Sequence, residues 1–274
     1  MSPQSNPQKI SFSGFDHIAE EYDSDFSCSP VGQLQRQRVH HFLGQELGRT
    51  SLRVLEINCG TGEDAIWLAE RGHHVIATDA SAEMINITMQ KIKGRYFKGV
   101  VQARQISFNE LNDVFMPQSF DLVFSDFGGL NCIPENVMRT LLQDIYALLK
   151  PGGKFIAVIM GRKCLWERGY YLLKGNGKEA FRRSSKQSVA VSLGSNPQPT
   201  WYFAPSEIIN LSAEYFYCRN LKPVGIAVPP SYLNPFFAKK KWLLSTLNTL
   251  EAVFSFSVCS NYADHFYISL QKKN

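Results

Sequence analysis

Arg53-Val54-Leu55-Glu56-Ile57-Asn58-Cys59-Gly60-Thr61-Gly62-Glu63-Asp64, followed by Val75-Ile76-Ala77-Thr78-Asp79, decides the fold of this chain. The first stretch is a short apolar run closed by a turn of small residues. A helical pattern of Ala65, Ile66, Leu68 and Ala69 follows, with Glu63 and Asp64 in its first turn. Gly60 and Gly62 let the backbone turn sharply and approach a ligand closely, because no Cβ stands in the way. The second run ends at Asp79, about 20 residues beyond Glu56, where a βαβ unit places an acid for ribose hydroxyls.

The turn does not suit a dinucleotide. A pyrophosphate loop wants G-x-G-x-x-G and a helix N-terminus left free for anionic oxygens. Here the spacing is Glu-x-Asn-x-Gly-x-Gly, and Glu63 and Asp64 at the helix start repel phosphate. A cationic ligand with a ribose and no phosphate fits better. The stretch resembles motif I of the class I S-adenosylmethionine-dependent methyltransferases, of the type 11 kind. That family usually has glycine where this chain has Asn58, a residue that tolerates unusual backbone angles better than most.

Other landmarks fall in register with the resemblance. Phe15-Asp16-His17-Ile18-Ala19-Glu20-Glu21-Tyr22-Asp23 resembles the family's lid segment, whose tyrosine closes over the cofactor. Phe120-Asp121-Leu122-Val123-Phe124-Ser125-Asp126 resembles motif IV, and Lys150-Pro151-Gly152-Gly153 the loop before the fifth strand. The resemblance implies S-adenosyl-L-methionine as cofactor. On that basis Glu56 orders the turn and meets the amino-acid end, while Asn58, Cys59 and Gly60 present backbone to the methionine part. Asp79 takes the ribose hydroxyls, with capping of the following helix as its alternative role. Ala80 and Met84 flank the adenine, and Tyr22 closes over it. The acid that often meets the adenine amino group falls at Ser107, for which Gln105 or the backbone of Phe108 is a substitute. Asp126 either steers the nucleophile or contacts the methionine ammonium.

Strand signals at 53–57, 74–78, 100–106, 121–125 and 154–160 alternate with helical ones at 63–71, 82–93 and 136–149. Beyond residue 160 the alternation stops. A strand pair (188–193 and 200–204) and a helix after Pro205 read as an inserted cap. A sixth strand near 216–227, a helix at 237–254 and a last strand at 264–271 follow. The expectation is therefore an α/β Rossmann-like fold: a seven-stranded, mostly parallel sheet with helices on both faces and a cap after strand five. Its parts are a disordered tail at 1–11, a cofactor-binding core with its lid at 12–160, a cap at 161–215, and sheet-completing elements at 216–274.

Composition excludes little but constrains the setting. The 274 residues are 44% hydrophobic and 19% charged, with a net charge of +5, as expected of a globular protein. Basic residues are dispersed apart from Lys239–Lys241 and Arg182-Arg183, so nucleic acid is not demanded. Six scattered cysteines without a C-x-x-C pair suit reduced thiols in a cytoplasm, with neither disulfides nor a metal site. Neither a signal peptide nor a membrane span is read in the sequence, and oligomeric state is not legible.

Methyl transfer from a sulfonium is an in-line displacement, for which the protein aligns two partners and excludes water. A base is needed only for a weakly acidic nucleophile. His17 on the lid and Asp126 are the candidates; His40-His41, His73-His74 and His265 read as surface or structural. Trp166, Tyr170, Trp201 and Tyr202 in the cap read either as core packing or as a substrate pocket. The expected function is methylation of an oxygen or nitrogen atom of a small molecule beneath an aromatic-rich cap. The alternatives are a protein or RNA methyltransferase, or a non-methylating cofactor binder of the same fold.

Overall fold

A computed structural model describes residues 13–193 and 196–274; the tail expected over 1–11 lies outside them. Nine strands are found there: β1 (Arg53–Ile57), β2 (His74–Asp79), β3 (Val100–Gln105), β4 (Phe120–Ser125), β5 (Leu149–Met160), β6 (Val189–Leu193), β7 (Asn196–Thr200), β8 (Phe216–Val224) and β9 (His265–Lys272). Seven of them form one sheet in the order β3-β2-β1-β4-β5-β9-β8, while β6 and β7 pair separately. Only β9 runs against its neighbours in the large sheet. The chain reverses direction across the sheet between β1 and β4, opening a crevice at their carboxyl ends.

Side chains alternate between two cores. Leu55, Ile57, Val123, Phe155 and Phe266 point to one face, where helices Glu135–Leu148 and Pro205–Ser212 pack. Val54, Leu122, Phe124, Ile156 and Tyr267 point to the other, against helices Pro30–Glu46 and Glu63–Glu70. Central parallel strands are buried on both faces, which is why β1 reads as a continuous apolar run interrupted only by Glu56.

The structure departs from the sequence reading at several places. The second arm of the hairpin is Asn196–Thr200 in place of 200–204. Pro197 and Pro199 lie within it, and proline is compatible with a strand that has a free edge. Strand β8 stops at Val224 because Gly225 adopts φ +76° and the chain leaves the sheet. The helix expected from residue 237 begins at Lys241, after a separate turn Asn234–Phe237 with Pro235 near its start. Strand β5 begins at Leu149, so the Pro-Gly-Gly turn is absorbed into its first residues. The largest addition is helix Pro30–Glu46, capped by the Ser29 hydroxyl accepting from Gly32 N–H at 3.1 Å.

After β8 the four successive N–H groups of residues 225–228 all donate to one carboxylate, Glu251, at 2.7–3.3 Å. Glu251 is buried and comes from helix Lys241–Val253, which it thereby pins to the loop. Glu251→Ala leaves four N–H groups without their acceptor and is expected to cost at least about 3 kcal/mol, at 1 kcal/mol or more for each buried donor left unsatisfied. Urea denaturation followed by circular dichroism checks this; a loss below about 1 kcal/mol would show the loop to be held by other contacts.

Candidate functional site

Eighteen residues line a crevice of about 730 Å³, its mouth included, at the carboxyl ends of β1, β2 and β4. The turn after β1 forms its floor. Asn58 takes φ +53° there, its Nδ2–H donates to the Asp126 carbonyl at 2.9 Å, and its Oδ1 accepts from the Ser125 hydroxyl at 2.6 Å. The amide thus bridges the ends of β1 and β4. This needs a glycine opposite, since a Cβ on Gly129 would stand 2.2 Å from Asn58 Cγ.

Asp79 closes the next side. Its Oδ2 accepts from Gly60 N–H and its Oδ1 from Ser81 N–H, both at 2.9 Å. Each oxygen keeps lone-pair capacity for a further donor from the crevice. Helix capping is done by the Ser81 hydroxyl, which accepts from Met84 N–H. Burial pushes the Asp79 carboxyl upward, although the backbone N–H groups oppose it. Ala80, Met84, Ile106 and Phe108 supply an apolar wall beside it.

The opposite end carries a charge cluster. Arg36 of helix Pro30–Glu46 forms an ion pair with Asp64 and lies 3.8 Å from Asp126 Oδ2. His40 Nε2, one turn on, is 2.7 Å from Asp64 Oδ1, and its ring stacks on Trp67 at 4.1 Å. Burial would raise Asp64, but Arg36 and His40 outweigh it and hold the carboxyl well below the usual range. Burial and the Asp64 charge push Asp126 upward in spite of Arg36, and Glu56 likewise. Asp126 Oδ2, Glu56 Oε2 and Arg36 Nε are buried without a hydrogen-bond partner. A crevice with an unsatisfied guanidinium nitrogen beside an unsatisfied carboxyl oxygen suits a zwitterion, an α-carboxylate toward Arg36 and an ammonium toward Asp126.

The N-terminal segment covers the mouth. Asp23 accepts from the Thr61 hydroxyl at 2.6 Å and pairs with Lys91, and the Ser81 hydroxyl donates to Asp16. These contacts hold Tyr22 against the turn, with burial raising its phenol well above the ordinary value. Residues Asp23–Ser27 form a π-helical turn that places Phe26 edge-on to Phe127 at 4.9 Å. Phe127, at φ +33°, also meets the Arg36 guanidinium at 5.2 Å and the His265 ring at 5.3 Å.

Of the residues anticipated for the cofactor, Tyr22, Asn58, Cys59, Gly60, Asp79, Ala80, Met84, Phe108 and Asp126 meet at this crevice. Glu56 lies buried beneath it and does not line it. Ser107 lies outside, engaged in a capping box with Glu110 over the turn that follows β3. His17, the candidate base on the lid, is exposed and away from the crevice. The cap aromatics are elsewhere too. Trp166 packs on Phe237 and donates to the Ala227 carbonyl at 3.1 Å. Tyr170 meets Tyr171 and Tyr232, Trp201 packs against the main core, and Tyr202 lies under Arg183. Arg36, Thr61, Phe15 and Cys132 are lining residues that the sequence reading did not assign. His40 and His265, read as surface or structural, contact Asp64 and Phe127.

Residues 54–153 match the family model described as a methyltransferase domain. The chain is 34% identical over 146 residues to the tRNA 5-carboxymethoxyuridine methyltransferase of Escherichia coli K12, covering 51% of this chain and 53% of that protein. It is 31% identical to the demethylmenaquinone methyltransferase of Symbiobacterium thermophilum, covering 53% and 56%. The chain thus spans about half the length of these curated relatives. In fold it is similar to an S-adenosylmethionine-dependent methyltransferase from Methanosarcina mazei, with TM-score 0.60, 15% identity and coverage of 85% and 96%. It is similar also to geranyl diphosphate C-methyltransferase from Streptomyces coelicolor A3(2), solved with S-adenosyl-L-homocysteine (TM-score 0.55, 12% identity, coverage of 86% and 77%).

The buried ion pair has a pH signature. A carboxyl held low in the folded state stabilises above the ordinary aspartate value, about 3.9, and loses that contribution as pH falls through and below it. Asp64→Asn leaves Arg36 buried with only Asp126 and should cost about 3 kcal/mol near neutrality. The stability gap between variant and parent is expected to start closing near about pH 4 and to vanish only as pH falls through the much lower value of the folded state. A gap that is constant from neutrality into acid would show that Asp64 does not act through its charge.

Proposed function

We propose that this chain, whose residues 54–153 match a methyltransferase domain, is a class I S-adenosylmethionine-dependent enzyme that methylates an oxygen or nitrogen atom of a small molecule. The observation that carries the reading is the pairing within one crevice of two unlike ends. Asp79 offers two oriented carboxylate oxygens at one end, and Arg36, Asp64 and Asp126 form a zwitterion-matched cluster at the other. The turn Asn58–Thr61 forms the floor between them with Tyr22 over it, so one extended ligand with a ribose and an amino-acid end spans both.

When bound, the cofactor supplies a methyl group already activated on a sulfonium. The chain's own work is binding and exclusion. Asp79 accepts from the ribose hydroxyls, while Ala80, Met84, Ile106 and Phe108 hold the adenine. Arg36 meets the α-carboxylate through its free Nε–H, and Asp126 Oδ2 accepts from the ammonium. Tyr22 and Phe127 shield the reacting centre from water and offer ring faces to a cation. Methyl transfer then requires only an acceptor held in line behind the methyl group.

The family model covers residues 54–153, which carry most of the crevice, and the relatives are named for unlike acceptors, a tRNA nucleoside and a quinone. Acceptor choice therefore falls to crevice-wall side chains that do not hold the cofactor and to the segment that roofs them. Strand β7 lies beside the lid turn Ser13–Asp16 and the turn Gly129–Cys132, so the segment 161–215 acts as a cap by meeting the lid over the crevice. Its aromatic side chains anchor it, and Phe127, Cys132 and Phe15 on the crevice wall face the acceptor. A roofed crevice suits a small molecule better than a polymer.

Asp79→Ala should weaken S-adenosylhomocysteine by about 2 kcal/mol or more, since two hydrogen bonds to a charged group are lost. Calorimetric titration checks it, and an unchanged affinity in a folded variant rejects the ribose assignment. Incubation with methyl-labelled cofactor, a metabolite extract and bulk transfer RNA tests the acceptor class: label confined to RNA would reject the small-molecule reading.

A further inference from the structure

Glu251 is the single acidic residue between Glu214 and Asp264, and it is buried in the backbone loop of residues 225–228. The surface of this C-terminal stretch therefore exposes no carboxylate. It does expose Lys239, Lys240 and Lys241. These stand at the N-terminus of helix Lys241–Val253, whose first turn has no acid and no side-chain cap. The helix dipole disfavours cations at that end, so the triplet does not serve helix stability.

Along the helix Trp242, Thr246, Thr249, Leu250 and Val253 fall within about a 100° arc. All five are exposed, whereas Leu244 and Glu251 face inward. Trp242 is 73% exposed, and beyond the helix Phe256 is 66% and Val258 64% exposed. Phe236 is exposed as well, with Lys240 Nζ 3.9 Å from its ring centre. At the other end the exposed Lys163 lies 5.8 Å from the ring of Tyr262. An uncharged stripe in which Trp242, Leu250 and Val253 alternate with Thr246 and Thr249, continued by Phe256 and Val258 and flanked by lysines, is the pattern of an interfacial helix.

We propose that this face docks on an anionic lipid surface, with the rings entering the interfacial region and the lysines meeting lipid phosphates. Two copies pairing through the same face would bring two lysine triplets onto one interface with no acid to separate them. Leu250, Val253 and Val258 have no ring on which a nucleobase could stack, which disfavours single-stranded RNA. The proposal stands apart from the methyl-transfer reading, because lipid binding is measured without cofactor or acceptor.

The test is co-sedimentation of the full chain with phosphatidylcholine vesicles, with and without phosphatidylglycerol, alongside tryptophan emission. Binding is expected on the anionic vesicles and much less on the neutral ones, with a blue shift that Trp242→Phe removes. Replacing Lys239, Lys240 and Lys241 by glutamine should weaken partitioning roughly fivefold per lysine, from about 1 kcal/mol for each near an anionic surface. The pair Leu250→Ser with Phe256→Ser should weaken it too, with thermal unfolding as the control for folding. No binding to anionic vesicles overturns the proposal, as does binding that neither set of variants changes. Dimerisation, or capture of transfer RNA, through these residues in the absence of vesicle binding overturns it equally.

Discussion

The Arg36–Asp64 ion pair is the contact on which the crevice depends. It joins helix Pro30–Glu46 to the first turn of helix Glu63–Glu70, where His40 adds a second contact to the same Asp64. A buried pair of this kind adds little net stability, because desolvation offsets the attraction. What it does fix is position. With the guanidinium held there, the Phe26 and Phe127 rings close around it at 5.7 and 5.2 Å, and the wall of the crevice follows.

A second network extends that wall into the C-terminal half. The antiparallel β9 begins at the same sheet edge where the parallel strands end, which places Asp264 and His265 beside the crevice wall. Asp264 accepts from Arg183 at 2.9 Å, and Arg183 also pairs with the buried Glu167. Burial would raise the Asp264 carboxyl, but His265 and Arg183 outweigh it and keep the carboxyl low. Gln35, next to Arg36 in sequence, donates to the other Asp264 oxygen at 3.3 Å. The segment after β5 is thereby tied through charged groups to the helix that carries Arg36.

The strands and the glycine turn were legible because short apolar runs and small-residue turns are local properties of the chain. So was Asp79, whose place follows from strand length. Arg36 was not, since helix Pro30–Glu46 buries Gln35 and Gly32 among its apolar residues and blurs its own amphipathic pattern. The cap aromatics stayed open between core and pocket for a related reason: composition shows that rings are present, while only packing shows which way they face. Trp166 and Tyr202 found partners in Phe237 and Arg183 and left none of their surface to the crevice. Ser107 and His17 stood at plausible positions in register, but a capping box turned one away and solvent took the other.

Asn58 and Gly129 bind the history of this turn together. The asparagine amide fills the space that a side chain at 129 would need, and it ties two strand ends that glycine at 58 would leave untied. Asparagine at 58 is tolerable only with glycine at 129, whereas glycine at 129 is compatible with either residue at 58. A lineage moving between glycine and asparagine at this turn must have cleared position 129 first, and a later enlargement there is blocked until the asparagine goes. The order of substitutions is constrained even though either change alone replaces only one small residue.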